Sequence, residues 1–72
     1  MNEVKIRDSY IKLGQALKLA GAVGSGVDAK MMIQNGEVLV NDEVCTMRGK
    51  KLVDGDLFTF EGKSYIIKSE AL

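Results

Sequence analysis

Lys12, Gln15 and Lys18 recur at intervals of three residues, and Ser25, Gly26 and Lys30 follow across a glycine-rich stretch. On a helix the first three step along one face. Amines, an amide and a hydroxyl next to glycine are the groups that hold phosphate. They supply positive charge, hydrogen-bond donors and a backbone that a ligand can approach closely. A second basic feature lies further on, where Arg48, Lys50 and Lys51 fall within Thr46 to Lys51 with no acid among them. The chemistry these residues suit is anion recognition.

Other chemistries lack their parts. Gly21 and Gly26 have the separation of a P-loop's two glycines, but Val27 and Asp28 stand where that motif needs Lys and Ser or Thr. The dinucleotide fingerprint fails as well, because Gly21, Gly24 and Gly26 come in the wrong order of spacing and follow a helical pattern rather than a strand. The acidic pairs Asp42 with Glu43 and Asp54 with Asp56 read as turn formers. With no histidine and with Cys45 as the single cysteine, there is no partner for a nucleophile, no internal disulfide and no multi-thiolate metal site. Cys45 itself reads as a small core residue. The chain is therefore expected to be no enzyme and to carry no cofactor or metal.

The elements that must position the basic residues follow from hydrophobic period. Val4-Lys5-Ile6-Arg7 alternates as a half-buried strand does. Asp8 or Ser9 is the expected start of a helix, whose core face is Leu13, Ala16, Leu17 and Ala20, with Ile11 and Leu19 displaced toward the polar side. Gly21 to Gly26 ends that helix, and Ser25 with Asp28 three residues on forms a capping-box pattern for a second helix running to about Gln34. Ala29, Met32 and Ile33 make its expected core face. Asn35-Gly36 closes it. Strands are then expected at Glu37 to Val40 and Glu43 to Cys45 around an Asn41-Asp42 turn, at Leu57 to Phe60, and at Lys63 to Ile67, with turns at Asp54-Gly55-Asp56 and Glu61-Gly62. The fold class expected is α+β, two helices packed on an antiparallel sheet of four or five strands.

At 72 residues there is room for one domain and one modest core. The 46% hydrophobic and 28% charged content is that of a folded globular chain. Ten bases balance ten acids, so attraction for a polyanion has to come from segregation of charge. Acids gather at Glu37, Asp42, Glu43, Asp54, Asp56 and Glu61, mostly at turns of the strand half, and the domain should be bipolar. Charges throughout the first twenty residues leave no signal-peptide core, and no apolar run reaches the length of a membrane span. A cytoplasmic protein without membrane contact is the expectation. Among the aromatics, Phe58 and Phe60 share one strand face and read as core, and no exposed stacking platform is evident.

The stretches Leu13-Gly14-Gln15-Ala16-Leu17-Lys18-Leu19-Ala20, Ser25-Gly26, Ala29-Lys30, Gly36 to Asn41 and Arg48-Gly49-Lys50-Lys51-Leu52, ending in Gly55-Asp56, taken in order, resemble the alpha-L RNA-binding motif. This is the domain type named after small-subunit ribosomal protein S-four. The resemblance spans about residues 11 to 60 and is narrower still to short stand-alone bacterial members. It implies an RNA-contact surface built from Lys12, Gln15, Lys18, Ser25, Gly26, Lys30, Asn41, Arg48, Lys50 and Lys51, and a structured RNA partner such as ribosomal or transfer RNA. Three positions depart from the pattern. Gly26 stands where an arginine is common after the serine, Asp42 replaces a glycine after Asn41, and Met47 occupies the place of a base before Arg48. Two alternatives stay open: an interaction adapter that keeps the fold, binds a protein partner and lacks RNA affinity, and a DNA-binding variant of the helix pair.

Overall fold

Alternation along the first strand sets the sheet. The computed structural model describes residues 2–71. In β1 (Asn2–Ile6) Val4 and Ile6 are buried while Glu3 and Lys5 face solvent. There follow β2 (Tyr10–Lys12), α1 (Leu13–Leu19), α2 (Gly26–Gln34), β3 (Val38–Val40), β4 (Glu43–Val44), β5 (Lys51–Val53), β6 (Leu57–Phe60) and β7 (Lys63–Ser69). Five strands form one sheet in the order β1-β7-β6-β3-β4, and β2 pairs with β5 in a separate antiparallel ribbon. The class is α+β with two helices on a small sheet. The sheet is mixed, because β1 runs parallel to β7, from Asn2 opposite Tyr65 to Ile6 opposite Ser69.

Both helices end as their glycines dictate. Gly21 and Gly36 have φ of 72° and 76°, the left-handed conformation that glycine adopts without steric cost. The Gly21 and Ala22 N–H groups return to the carbonyls of Lys18 and Leu17, and those of Gly36 and Glu37 to Ile33 and Met32. Each is a Schellman closure that satisfies the last carbonyls of its helix. The buried faces are Leu13, Ala16 and Leu17 on α1 and Ala29 and Ile33 on α2. They pack with Val38, Leu52, Phe58 and Ile67 in one core, with Met32 half-buried beside it. Phe58 lies opposite Tyr65 across β6 and β7 with ring centroids 4.8 Å apart. Phe60 is also buried.

The first helix does not start at Asp8 or Ser9. Residues 7–9 are a bend, and Tyr10, Ile11 and Lys12 are strand, held opposite Val53, Leu52 and Lys51. The helix begins at Leu13 with Lys12 in the capping position and no side-chain cap. In place of a cap, the N–H groups of Leu13 and Gly14 donate to the carbonyls of Lys50 (2.8 Å) and Arg48 (3.0 Å). The β2–β5 ladder thus continues into the helix start and supplies the acceptors that a capping side chain would otherwise supply. Ile11, on this ribbon, is half-buried against the core, whereas Leu19 is exposed.

Candidate functional site

That continued ladder fixes the geometry of the basic residues. Lys12 and Arg48 lie 36 positions apart in sequence, yet the bonds from Leu13 to Lys50 and from Gly14 to Arg48 hold the loop against the helix start. A cavity of about 340 Å³ results, lined by Lys12, Gly14, Gln15, Lys18, Gly26, Arg48 and Gly49. Among the described residues, three cations face it and no carboxylate does. Five of the ten residues expected at an RNA surface come together here: Lys12, Gln15, Lys18, Gly26 and Arg48. Gly14 and Gly49 join them, and neither was singled out from sequence as a contact. Their signal was present in the glycines themselves, since glycine on a cavity wall leaves backbone open to a ligand.

The second helix contributes its first turn. Ser25 is the N-cap, with its hydroxyl accepting from the Asp28 N–H at 3.2 Å and its carbonyl accepting from Ala29. The Ser25 half of the capping box expected from the sequence is in place, without a reciprocal bond from the Ser25 N–H to the Asp28 carboxylate. These bonds leave the N–H groups of Gly26 and Val27 as the orphan donors of the helix start, and Gly26 sits on the cavity wall. A Cβ built on Gly26 meets nothing within 4 Å, so neither packing nor backbone angle demands glycine there. The side chain of Asp28 is also in this turn.

The other expected residues lie elsewhere. Lys30 is exposed on α2 one turn beyond Gly26 and does not line the cavity. Lys50 faces a different groove with Asn41, Cys45 and Met47. Lys51 places its Nζ 4.8 Å from the centroid of the Tyr10 ring. Asn41 has a structural task. It accepts from the Leu57 N–H at 3.0 Å and donates to Asp56 at 3.3 Å, tying the β3–β4 turn to the start of β6. Asp56 also accepts from the Val53 N–H at 2.8 Å, and Asp54 from the Ser69 N–H at 2.8 Å, so both acids clamp turns. Asn41 and Asp42 have φ of 49° and 69°, so the turn takes up left-handed angles without glycine. Cys45 is half-buried against the core. Tyr10, at 40% exposed, is the aromatic surface that the sequence did not reveal.

The S4 domain matches residues 4–68. The chain belongs to the S4 domain family. A curated relative, the "Probable ribosome maturation protein RlbA" of Bacillus subtilis (strain 168), is 48% identical over 61 residues, covering 85% of this chain and 86% of that protein. The solution structure of YbcJ from E. coli, described as revealing an alfaL motif involved in RNA-binding, is 32% identical with a TM-score of 0.72. The likeness covers 94% of this chain and 87% of YbcJ. The S4 match begins at Val4 and ends at Lys68, so it includes the buried half of β1, from Val4 to Ile6, and most of β7. The motif residues quoted from the sequence are therefore framed on both sides by strands of the same S4 domain.

Proposed function

We propose that this S4 domain binds structured RNA, seating a backbone phosphate in the cavity between α1, the start of α2 and the residue 48–49 turn. The observation that carries the reading is the lining of that cavity: three cations, an amide, glycine backbone and no carboxylate. An anion there meets Lys12, Lys18 and Arg48 together with the orphan donor of Gly26, which is the combination that suits phosphate at a helix start. YbcJ is described as involved in RNA-binding and RlbA as acting in ribosome maturation. Ribosomal RNA is accordingly the partner we favour, with transfer RNA as the alternative substrate of the same class. No catalysis is part of the reading.

A second reading, docking to a protein, draws on one observation. Val27 and Met31, one turn apart on α2, are 68% and 52% exposed. Such a pair on an outer helix face is an available apolar contact.

A titration of the protein against a hairpin RNA and a DNA duplex of equal length, at several salt concentrations, tests the proposal. Binding to RNA that weakens steeply with salt, and that drops when Lys12 and Lys18 are both changed to Ala, supports the phosphate site. Equal binding to the duplex DNA moves the reading to general polyanion or DNA recognition. If wild-type protein binds neither at low salt, the RNA reading falls and the Val27–Met31 face becomes the place to look.

A further inference from the structure

Beside the phosphate cavity runs a second depression that the RNA-contact residues do not explain. It measures about 640 Å³ and lies between the β1–β2 bend and the outer face of α1. Lys5 and Arg7 stand on one wall, Gln15 and Lys18 on the other, with Tyr10, Ile11 and Leu19 between them. Gln15 and Lys18 line both depressions, so the two adjoin.

The composition of this groove differs from that of the cavity. Three cations rim it against a single acid, Asp8, and its apolar residues include an aromatic ring 40% exposed and a leucine 59% exposed. Phosphate suits the rim, but the apolar surface has no use for it. The wall is held in place rather than left to move: Ser69 Oγ donates to the Asp8 carbonyl at 2.6 Å, and the Glu70 N–H donates to the Ile6 carbonyl at 2.9 Å. Lys51 steadies the Tyr10 ring from outside, because its ammonium lies over the ring but does not line the groove. A ring with one cation above it keeps its remaining surface for a second planar partner.

We infer that this groove seats the base of one unpaired nucleotide, stacked on Tyr10 and flanked by Ile11 and Leu19, with the neighbouring phosphates on Lys5, Arg7 and Lys18. The inference rests on the phosphate reading of the adjoining cavity. It adds a requirement to it: the RNA must offer a base face, which a continuous duplex hides and a bulge or loop exposes. Gln15, shared between the two sites, has an amide able to pair with a base edge.

Three hairpins with a common stem test it: one carrying a single unpaired nucleotide, one with an abasic residue at that position, and one fully paired. Wild-type protein is expected to bind the first about tenfold more tightly than the other two, a figure within the range of base–aromatic stacking. Tyr10→Ala and Leu19→Ser should each erase the preference while leaving affinity for the paired hairpin unchanged, and Tyr10→Phe should keep it. Leu19 is exposed, so its variant remains informative if Tyr10→Ala does not fold. Equal, salt-dependent binding of all three hairpins overturns the groove and leaves the phosphate reading standing. A preference that survives both Leu19→Ser and a folded Tyr10→Ala also overturns it, since the base then sits elsewhere. Failure of wild type to bind any hairpin removes both.

Discussion

Gly26 is glycine without a steric reason: it opens α2 with unstrained angles, and a Cβ there meets empty space. The alanine variant should therefore raise stability by about 0.4–1 kcal/mol through the unfolded chain's lost freedom. It should at the same time weaken RNA binding, because the methyl group occupies the approach to the orphan N–H groups. Urea denaturation and RNA titration of the same variant check both signs. Asp42 is the opposite case, a side chain at a φ of 69° in a turn that glycine would occupy freely. Asp42→Gly should stabilise by about 1 kcal/mol, read as a higher denaturation midpoint at unchanged slope. Ser25 was legible from sequence because a cap is local, its partner Asp28 lying three residues on. Asn41 was legible as a turn former only, since its partners Asp56 and Leu57 lie far along the chain at the start of β6. Tyr10 was not. Its exposure depends on Lys51 and Val53, some forty residues away, and no short-range pattern announces such a neighbour.

The β2–β5 ribbon is the element on which the site turns. Three residues are too few to display a period, so Tyr10-Ile11-Lys12 merges with the helical pattern that follows, and the sequence pattern places the helix start early, at the polar residues Asp8 and Ser9. α2, with its cap, its apolar positions and its closing Asn35-Gly36, was legible from end to end. The two helix starts should differ in amide hydrogen exchange. Leu13 and Gly14, bonded to Lys50 and Arg48, are expected to exchange as slowly as the ribbon they extend, while Gly26 and Val27 exchange quickly ahead of a protected Asp28. Fast exchange at Leu13 and Gly14 would show that the loop is not held on the helix, and the cavity would then lose its Arg48 wall. Arg48 could be flagged from sequence as a base in a basic run. Its closeness to Lys12 could not, because it follows from pairing between distant strands.

At the scale of the molecule, ten bases and ten acids cancel, and function depends on where each sign collects. Three cations share the cavity. A separate groove, reached past the first turn of α2, carries Asp28, Glu37 and Glu61. A polyanion is accordingly attracted to the basic cavity and repelled from the acidic groove, which biases its orientation before contact. Arg48→Ala should lower the slope of log affinity against log salt by about one, the loss of one phosphate contact, with little change in melting temperature. The same slope as wild type would place Arg48 outside the contact. The segregation of charge was visible in the sequence as acids at turns and bases in two clusters, but the sign of each surface required the fold.

The parallel pairing of the first strand with the last has a consequence for synthesis. As the chain leaves the ribosome, β1 emerges early and waits, since its hydrogen-bonding neighbour spans Lys63–Ser69. A nascent chain halted at Gly62 leaves Val4 and Ile6 without the strand that buries them and Phe58 without the ring of Tyr65. Closure of the core therefore waits until β7 itself has cleared the exit tunnel, and until then the apolar face of β1 is open to chaperones or to other nascent chains.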